Sequence, residues 1–590
     1  MNEQGKIFIG FVAATILFTF LFLFAMQETV DTIYVNGRFY TMNEQHSVVE
    51  AMAVKEGRIV GLGTRDYVQR KFSAAHIIDL GGKTVMPGFI DAHCHLLGLG
   101  LNKLTVDLSD TKSEQDAAQR VAKRVAASTA NEWIRGSGWD QNAWQKKDFP
   151  TKRSLDQISV NNPVFLLRVD GHACWVNSKA MELARRSGLA DIAKHVADPD
   201  GGKIVRDAHG EPTGVFIDAA MDLIYKIIPD PSEAEMREAI HYATDECLSY
   251  GLTSVQEMEA DLHQIELYKK MIQENNFPLR VYSCVDGPND LWEELKHTGA
   301  LIGYGDHHLT VSAMKLYVDG ALGSRGAALI EPYSDDPTNR GTTIISNDHL
   351  QSIVDECLDH DFQVCTHAIG DRANYMILNA YASSLQKHSK ADRRLRVEHA
   401  QVIAPEDIPR FKQLGVIPSM QPTHCTADMR WAEARLGHGR VQGAYAWRSL
   451  LKTGVIIAGG SDFPVESPNP LLGIYAACTR QDVNGIPRTA KDVASAYSGF
   501  QLSSDGIADS SDFNGGWYPA QRMTREEAVK AFTVWAAYAA FEENLKGSLE
   551  AGKLADFVVL SDDIFQVPVQ NIPNIKVEKT YIGGRLVFPH

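Results

Sequence analysis

Eight short apolar runs punctuate the middle of this chain, at 87–92, 252–256, 279–285, 311–318, 362–366, 395–397, 416–420 and 455–458. Helix-period segments separate most of them, at 261–275, 348–359, 371–387 and 405–414. A short continuous apolar run reads as a strand covered on both faces, and strands alternating with helices require a parallel sheet. About eight such units predict a closed (β/α)8 TIM-type barrel in an α/β fold. The competing architecture is an open doubly wound sheet, but no Gly-x-Gly-x-x-Gly follows the first strand. One interval is too long for a loop without structure of its own. Residues 97–250 are therefore expected to form an insertion on the active-site face, with a hairpin from Lys203-Ile204-Val205-Arg206 into Val215-Phe216-Ile217.

The two ends have a different rhythm. Short alternating segments at 32–42, 51–62 and 77–85, turned at Asn36-Gly37 and Glu56-Gly57, predict antiparallel strands. The tail has similar segments at 557–560 and 581–588, with Gly583-Gly584 as a turn. Residues 29–85 and 545–590 are expected to build one small β-sandwich beside a barrel over 86–544. Residues 7–26 are uncharged and apolar, and about 20 such residues span a bilayer core as a helix. Lys6 precedes the run and Glu28 and Asp31 follow it, so the positive-inside rule predicts a membrane anchor over 1–28 and an extracytoplasmic, periplasmic catalytic part. A cleaved signal peptide is the alternative, for which Leu23-Phe24-Ala25 is a poor cleavage site. A net charge of −16 argues against nucleic acid as a partner. Self-association is left open. The eight cysteines show no Cys-x-x-Cys and irregular spacing, which favours buried free thiols. The Ser/Gly/Asp-rich stretch 498–516 reads as a loop or lid.

In a barrel of this kind the chemistry sits where strands end. The first run ends in Asp91-Ala92-His93-Cys94-His95, and residues at i and i+2 of a strand point the same way. The fourth carries Lys315, the fifth ends on His367, the sixth on Glu398-His399, and the eighth on Gly460-Ser461-Asp462. Imidazole and carboxylate suit zinc and related divalent ions. An ammonium has no lone pair to give a metal. If CO2 adds to such a lysine, the resulting carbamate is an anionic carboxylate that can bridge two metals.

Longer motifs accompany this set. They are Met86-Pro87-Gly88-Phe89-Ile90-Asp91-Ala92-His93, Arg168-Val169-Asp170-Gly171-His172, and Asp319-Gly320 leading into Gly323-Ser324-Arg325. Thr366-His367-Ala368-Ile369-Gly370-Asp371-Arg372, Glu398-His399-Ala400-Gln401, Gly460-Ser461-Asp462-Phe463-Pro464 and the tail 547–556 complete them. Over residues 30 to 588 the chain resembles the two-metal subtype of the amidohydrolase superfamily, in the branch containing N-substituted formamide deformylases. The resemblance implies two divalent ions, zinc with manganese or iron as alternatives. His93, His95 and Asp462 would hold the more buried ion, His367 and His399 the second, and a carbamate on Lys315 would bridge them. It further implies a bridging hydroxide as nucleophile, Asp462 as the proton carrier, and cleavage of an amide, formamide or cyclic amide C–N bond in a small molecule. Asp170, His172, Asp319, Arg325 and Gln421 are candidate substrate contacts, with His424 beside Gln421. Trp139, Asp140 and Trp144 are candidates for a cavity wall or for the insertion's core. The alternatives are an esterase or lactonase at the same site, and a non-catalytic metal-binding receptor, which would be expected to have lost Asp462 or a ligand.

Overall fold

The computed structural model describes residues 27–168, 173–187, 198–199, 202–388, 392–488 and 515–589. The parallel strands of its central sheet are β1 (Phe89–Cys94), β2 (Leu252–Ala260), β3 (Arg280–Asp286), β4 (Leu309–Tyr317), β5 (Gln363–Ala368), β6 (Arg396–His399), β7 (Ile417–Met420) and β8 (Ala458–Gly459), with the short strand Leu301–Gly303 antiparallel on β4. Each strand pairs in parallel with the next along the chain, from β1 to β8. Beyond β8 the chain returns to β1, where Asp462 N–H donates to His93 O at 2.8 Å. The result is a nearly closed eight-strand parallel barrel in a mixed α/β fold. Gly460 makes that last contact possible, since a Cβ there would lie 2.7 Å from His93 N and 2.8 Å from Asp91 Oδ1.

The helices between strands start where their caps dictate. Asp261 accepts from Gln264 N–H to open Leu262–Gln273, and Ser346 accepts from His349 N–H to open Asn347–Asp359. Helix Asp371–Lys387 buries Ala373, Ile377, Leu378 and Tyr381, the inward stripe of a 3.6-residue period.

Two further sheets come from the chain ends. One has Ala51–Lys55 between Arg58–Gly63 and Glu28–Val35, with Phe72–Asp79 at the edge. The other joins Arg38–Tyr40, Val48–Val49 and Thr84–Pro87 to the tail strands Phe557–Leu560, Val577–Ile582 and Arg585–Phe588. Tyr34, Met52, Val54 and Ile59 of the first sheet share a core with Phe39, Val85, Phe557, Val559 and Tyr581 of the second. The expected antiparallel pairing holds only in part. Glu28–Val35 runs parallel to Phe72–Asp79, and Arg38–Tyr40 parallel to Thr84–Pro87. For the first pair the physical reason is helix Arg65–Lys71, a crossover that carries the chain back across the sheet so that Phe72–Asp79 runs in the same direction as Arg58–Gly63 and Glu28–Val35. The segment 32–42 is also not one strand, because Asn36 takes a left-handed φ of 54° and turns the chain from one sheet into the other. Arg280 at the start of β3 forks onto Asp556 at 2.6 and 3.1 Å, both side chains almost fully buried, and so ties the tail strand to the barrel.

Residues Leu97–Ala243 form a separate compact unit; the described residues up to Leu96 and from Thr244 form the other. The smaller unit has its own six-stranded sheet, which includes the antiparallel pair Gly202–Arg206 and Pro212–Asp218. Trp139, Trp144 and Trp175 pack together in its core. Trp139 donates its indole N–H to Leu166 O at 2.9 Å. These tryptophans fill this unit's interior.

The membrane anchor is corrected. Among the described residues no helix is long and apolar enough to cross a membrane, and the run 7–26 on which the expectation rested lies outside them. The extracytoplasmic placement derived from it falls as well. The stretch 498–516 also lies outside the described residues up to 514. All eight cysteines are free, seven of them buried.

Candidate metal centre

The parallel ladder brings the strand-end residues together. His93 is in β1 and His95 directly follows it; Lys315 is in β4, His367 in β5, and His399 ends β6. Asp462 follows β8 by three residues. His399 and Asp462 both hold left-handed backbone, at φ 72° and 61°. Such conformations cost about 1–3 kcal/mol each and concentrate at functional sites.

Two groups of ligand-grade atoms result, each within 4.8 Å of one another: His93, His95 and Asp462, and His399, His424 and Asp462. Asp462 belongs to both. Its Oδ1 lies 3.1 Å from His95 Nε2 and 3.5 Å from His93 Nε2, and its Oδ2 lies 3.7 Å from His424 Nε2. Lys315 Nζ is 3.5 Å from His93 Nε2 and 4.7 Å from the Tyr317 ring centre. The Glu259, Asp286 and Glu398 carboxylates also feel its charge. His367 stands against His399, ring centres 4.6 Å apart, with its Nε2 3.5 Å from Asp319 Oδ1.

The ring orientations are fixed from behind. Fully buried Glu398 accepts from His93 Nδ1–H at 2.6 Å, which leaves the Nε2 lone pair facing the cluster. Gln421 Oε1 accepts from His399 Nδ1–H at 2.9 Å with the same consequence. Arg396, also fully buried, donates to Glu398 from Nη2 at 3.0 Å and to Gln256. On the other side Tyr317 donates its hydroxyl to Glu259 at 2.6 Å, and the second Glu259 oxygen lies 3.2 Å from His95 Nδ1, off the hydrogen-bond axis.

Electrostatics put most of these groups in ligand form. Burial, followed by the Lys315 charge, brings His93 down to about 4 and His367 to about 3, and burial with the neighbouring imidazoles holds His399 well below the usual histidine range. All three are neutral at pH 7. Burial opposes ionisation of Asp462, but His93 and His95 outweigh it and hold the carboxyl well below its ordinary value. Burial likewise opposes the His95 cation, yet Asp462 and Glu259 raise it to about 10, so His95 must release a proton to become a ligand. Glu398 is held near 2 against its burial, by Arg396 and then His93. Burial raises Asp91, Glu257 and Asp319 each to about 7.

The donor set fits divalent metal. His367 Nε2 and His424 Nε2 are buried and have no hydrogen-bond partner among the described residues, and His424 stands beside the ionised Asp462 carboxylate.

The candidate substrate contacts fare unevenly. Gln421 sits behind His399. Asp319 is buried and accepts from Ala328, Ile369 and Gly370 N–H at 2.8 to 3.0 Å, pinning the loop after β4 to the end of β5. Arg325 forks onto Asp335 at 3.0 and 3.1 Å, and Arg435 binds the same carboxylate. Asp170 and His172 lie outside the described residues. Residues not singled out from sequence are Asp91, Glu257, Glu259, Tyr317 and the supporting role of Glu398. Glu257 accepts from Leu96 N–H at 2.6 Å. Asp91 accepts from Ser461 Oγ–H at 2.6 Å, behind Asp462. Glu257 and Glu259 extend the apolar run 252–256 at a period of two, a visible signal of the same kind as His93 and His95.

Imidazoles, a carboxylate and a lysine gathered at the C-terminal mouth of a parallel barrel define a metal-dependent hydrolase. A profile of the Amidohydrolase family matches residues 76–588. The chain is 33% identical over 571 residues to YtcJ of Bacillus subtilis strain 168, named an amidohydrolase, covering 95% of this chain and 99% of that one. It is 26% identical over 580 residues to N-substituted formamide deformylase of Arthrobacter pascens, again over 95% and 99%. The crystal structure of an uncharacterized metal-dependent hydrolase from Pyrococcus furiosus, 27% identical, matches with a TM-score of 0.72 over 91% of this chain and 100% of that one. The protein belongs to the amidohydrolase family, enzymes that hydrolyse carbon–nitrogen bonds other than peptide bonds.

Proposed function

We propose that this protein hydrolyses the C–N bond of an amide, formamide or cyclic amide in a small molecule, at a two-ion centre. The observation that carries this reading is Asp462, an ionised carboxylate shared between His93 and His95 on one oxygen and His424 on the other. His93, His95 and Asp462 would hold one ion and His367 with His399 the second, with Lys315, as a carbamate, between them. Bound divalent metal would lower the pKa of water and polarise the substrate carbonyl. Glu398 and Gln421 keep the His93 and His399 lone pairs turned inward. Asp462 accepts the proton released as water adds to the carbonyl carbon, then delivers it to the departing nitrogen as the C–N bond breaks. The Lys315 Nζ, 3.5 Å from His93 Nε2, stands close enough to the ligand histidines for a carbamate on it to serve as an anionic ligand. N-substituted formamides are the first substrates to test, given the deformylase relative.

Purified protein would be analysed for metal per chain and assayed on paired N-formyl or N-acyl amides and their matched esters. The expected result is about two ions per chain and preference for the amide. Asp462→Asn should lower turnover by about 10²-fold or more. Full activity in that variant would remove Asp462 from the role assigned to it, and preference for the ester would reassign the reaction.

A further inference from the structure

His424 lies one turn into helix Pro422–Asp428, which opens directly behind β7. Its side chain is mostly buried, and Nε2 has no hydrogen-bond partner among the described residues. That nitrogen points at Asp462 Oδ2, 3.7 Å away, on the side of the carboxylate opposite His93 and His95. The His424 and His399 rings are nearly parallel, at 20° with centres 6.0 Å apart. His399, His424 and Asp462 offer three ligand atoms within 4.8 Å of one another. By contrast, His367 Nε2 approaches the Asp319 carboxylate, which is engaged by three backbone N–H groups.

From this we infer that His424 is a ligand of the second ion, so that the centre draws on the loop after β7 as well as on β5 and β6. The inference rests on the two-ion reading above. It deepens that reading by giving Asp462 a bridging place, Oδ1 toward the His93 and His95 ion and Oδ2 toward the His399 and His424 ion. A buried imidazole nitrogen with no hydrogen-bond partner among the described residues, 3.7 Å from an oxygen of a shared carboxylate, is the arrangement a ligand needs and a merely packed histidine does not. A ligand on this loop would also place the second ion nearer β7, and so orient the polarised carbonyl toward β7 and β8.

The test is cobalt uptake. Chelator-stripped protein is titrated with Co(II), following visible d–d absorption and bound metal by elemental analysis. The wild type should take up two ions per chain. His424→Ala should keep the first and bind the second at least about tenfold more weakly, with an altered spectrum. Free imidazole should restore the second uptake in His424→Gly. Circular dichroism of the stripped variants checks folding, and His424→Gln replaces any variant that fails it. Two unchanged sites in His424→Ala, with a raised KM alone, would overturn the ligand assignment and make His424 a substrate contact. Fewer than two ions in the wild type would instead overturn the two-ion reading itself.

Discussion

Glu398→Gln tests how the site is held in register. Glu398 is fully buried, accepts from His93 Nδ1–H at 2.6 Å, and pairs with Arg396 at 2.7 and 3.0 Å. Glutamine preserves shape but removes the charge that favours the Nδ1–H tautomer of His93. Loss of a supporting carboxylate behind a ligating histidine typically costs about 10–100-fold in metal affinity, or about 1.4–2.7 kcal/mol. The same change leaves the Arg396 guanidinium buried without its counter-ion, a defect worth about 3–5 kcal/mol of stability. The two effects separate in a double variant: Arg396→Met with Glu398→Gln should recover most of the stability and none of the metal affinity. The pH dependence has a definite sign. Glu398 falls from an ordinary 4.5 to about 2 in the folded metal-free protein. Its stabilisation is therefore complete above about 4.5 and lost as pH falls toward 2; in Glu398→Gln that portion of the stability curve should flatten. Urea denaturation of the metal-free protein across pH 2–6 and competitive chelator titration read the two quantities. Unchanged metal affinity in Glu398→Gln would refute the orienting role, and unchanged stability would refute the buried-pair account.

Asp556→Asn should destabilise the protein by about 3–5 kcal/mol in urea, because it strands buried Arg280 at the seam between the tail strand and β3. Chelation should abolish turnover and lower the melting temperature, and added zinc should raise it again with concentration; a melting temperature indifferent to metal would argue against a resident ion. Arg325→Ala should cost at most about 1 kcal/mol and leave KM unchanged for neutral and anionic substrates, since its guanidinium is committed to Asp335. A KM raised only for anionic substrates would show that the fork opens to bind them.

The amino-acid sequence by itself determined the barrel and the kinds of atom at its mouth. Apolar runs long enough to be buried on both faces can satisfy their backbones only in a covered parallel sheet, and a parallel sheet places every strand end on one rim. His93, His95, His367, His399 and Asp462 are legible because each closes or directly follows such a run, and Lys315 because it is a charge inside one. The tertiary structure alone decided what depends on direction. It placed His424, one turn into a helix and off the strand-end pattern, opposite Asp462. It turned Arg325 toward Asp335 and Trp139 and Trp144 into a core, and it made Glu28–Val35 parallel to Phe72–Asp79 through a helix too short to announce a crossover. Residue type and spacing fix which groups a strand can present, but which partner each side chain meets is set by packing between segments hundreds of residues apart, as with Glu398 and His93.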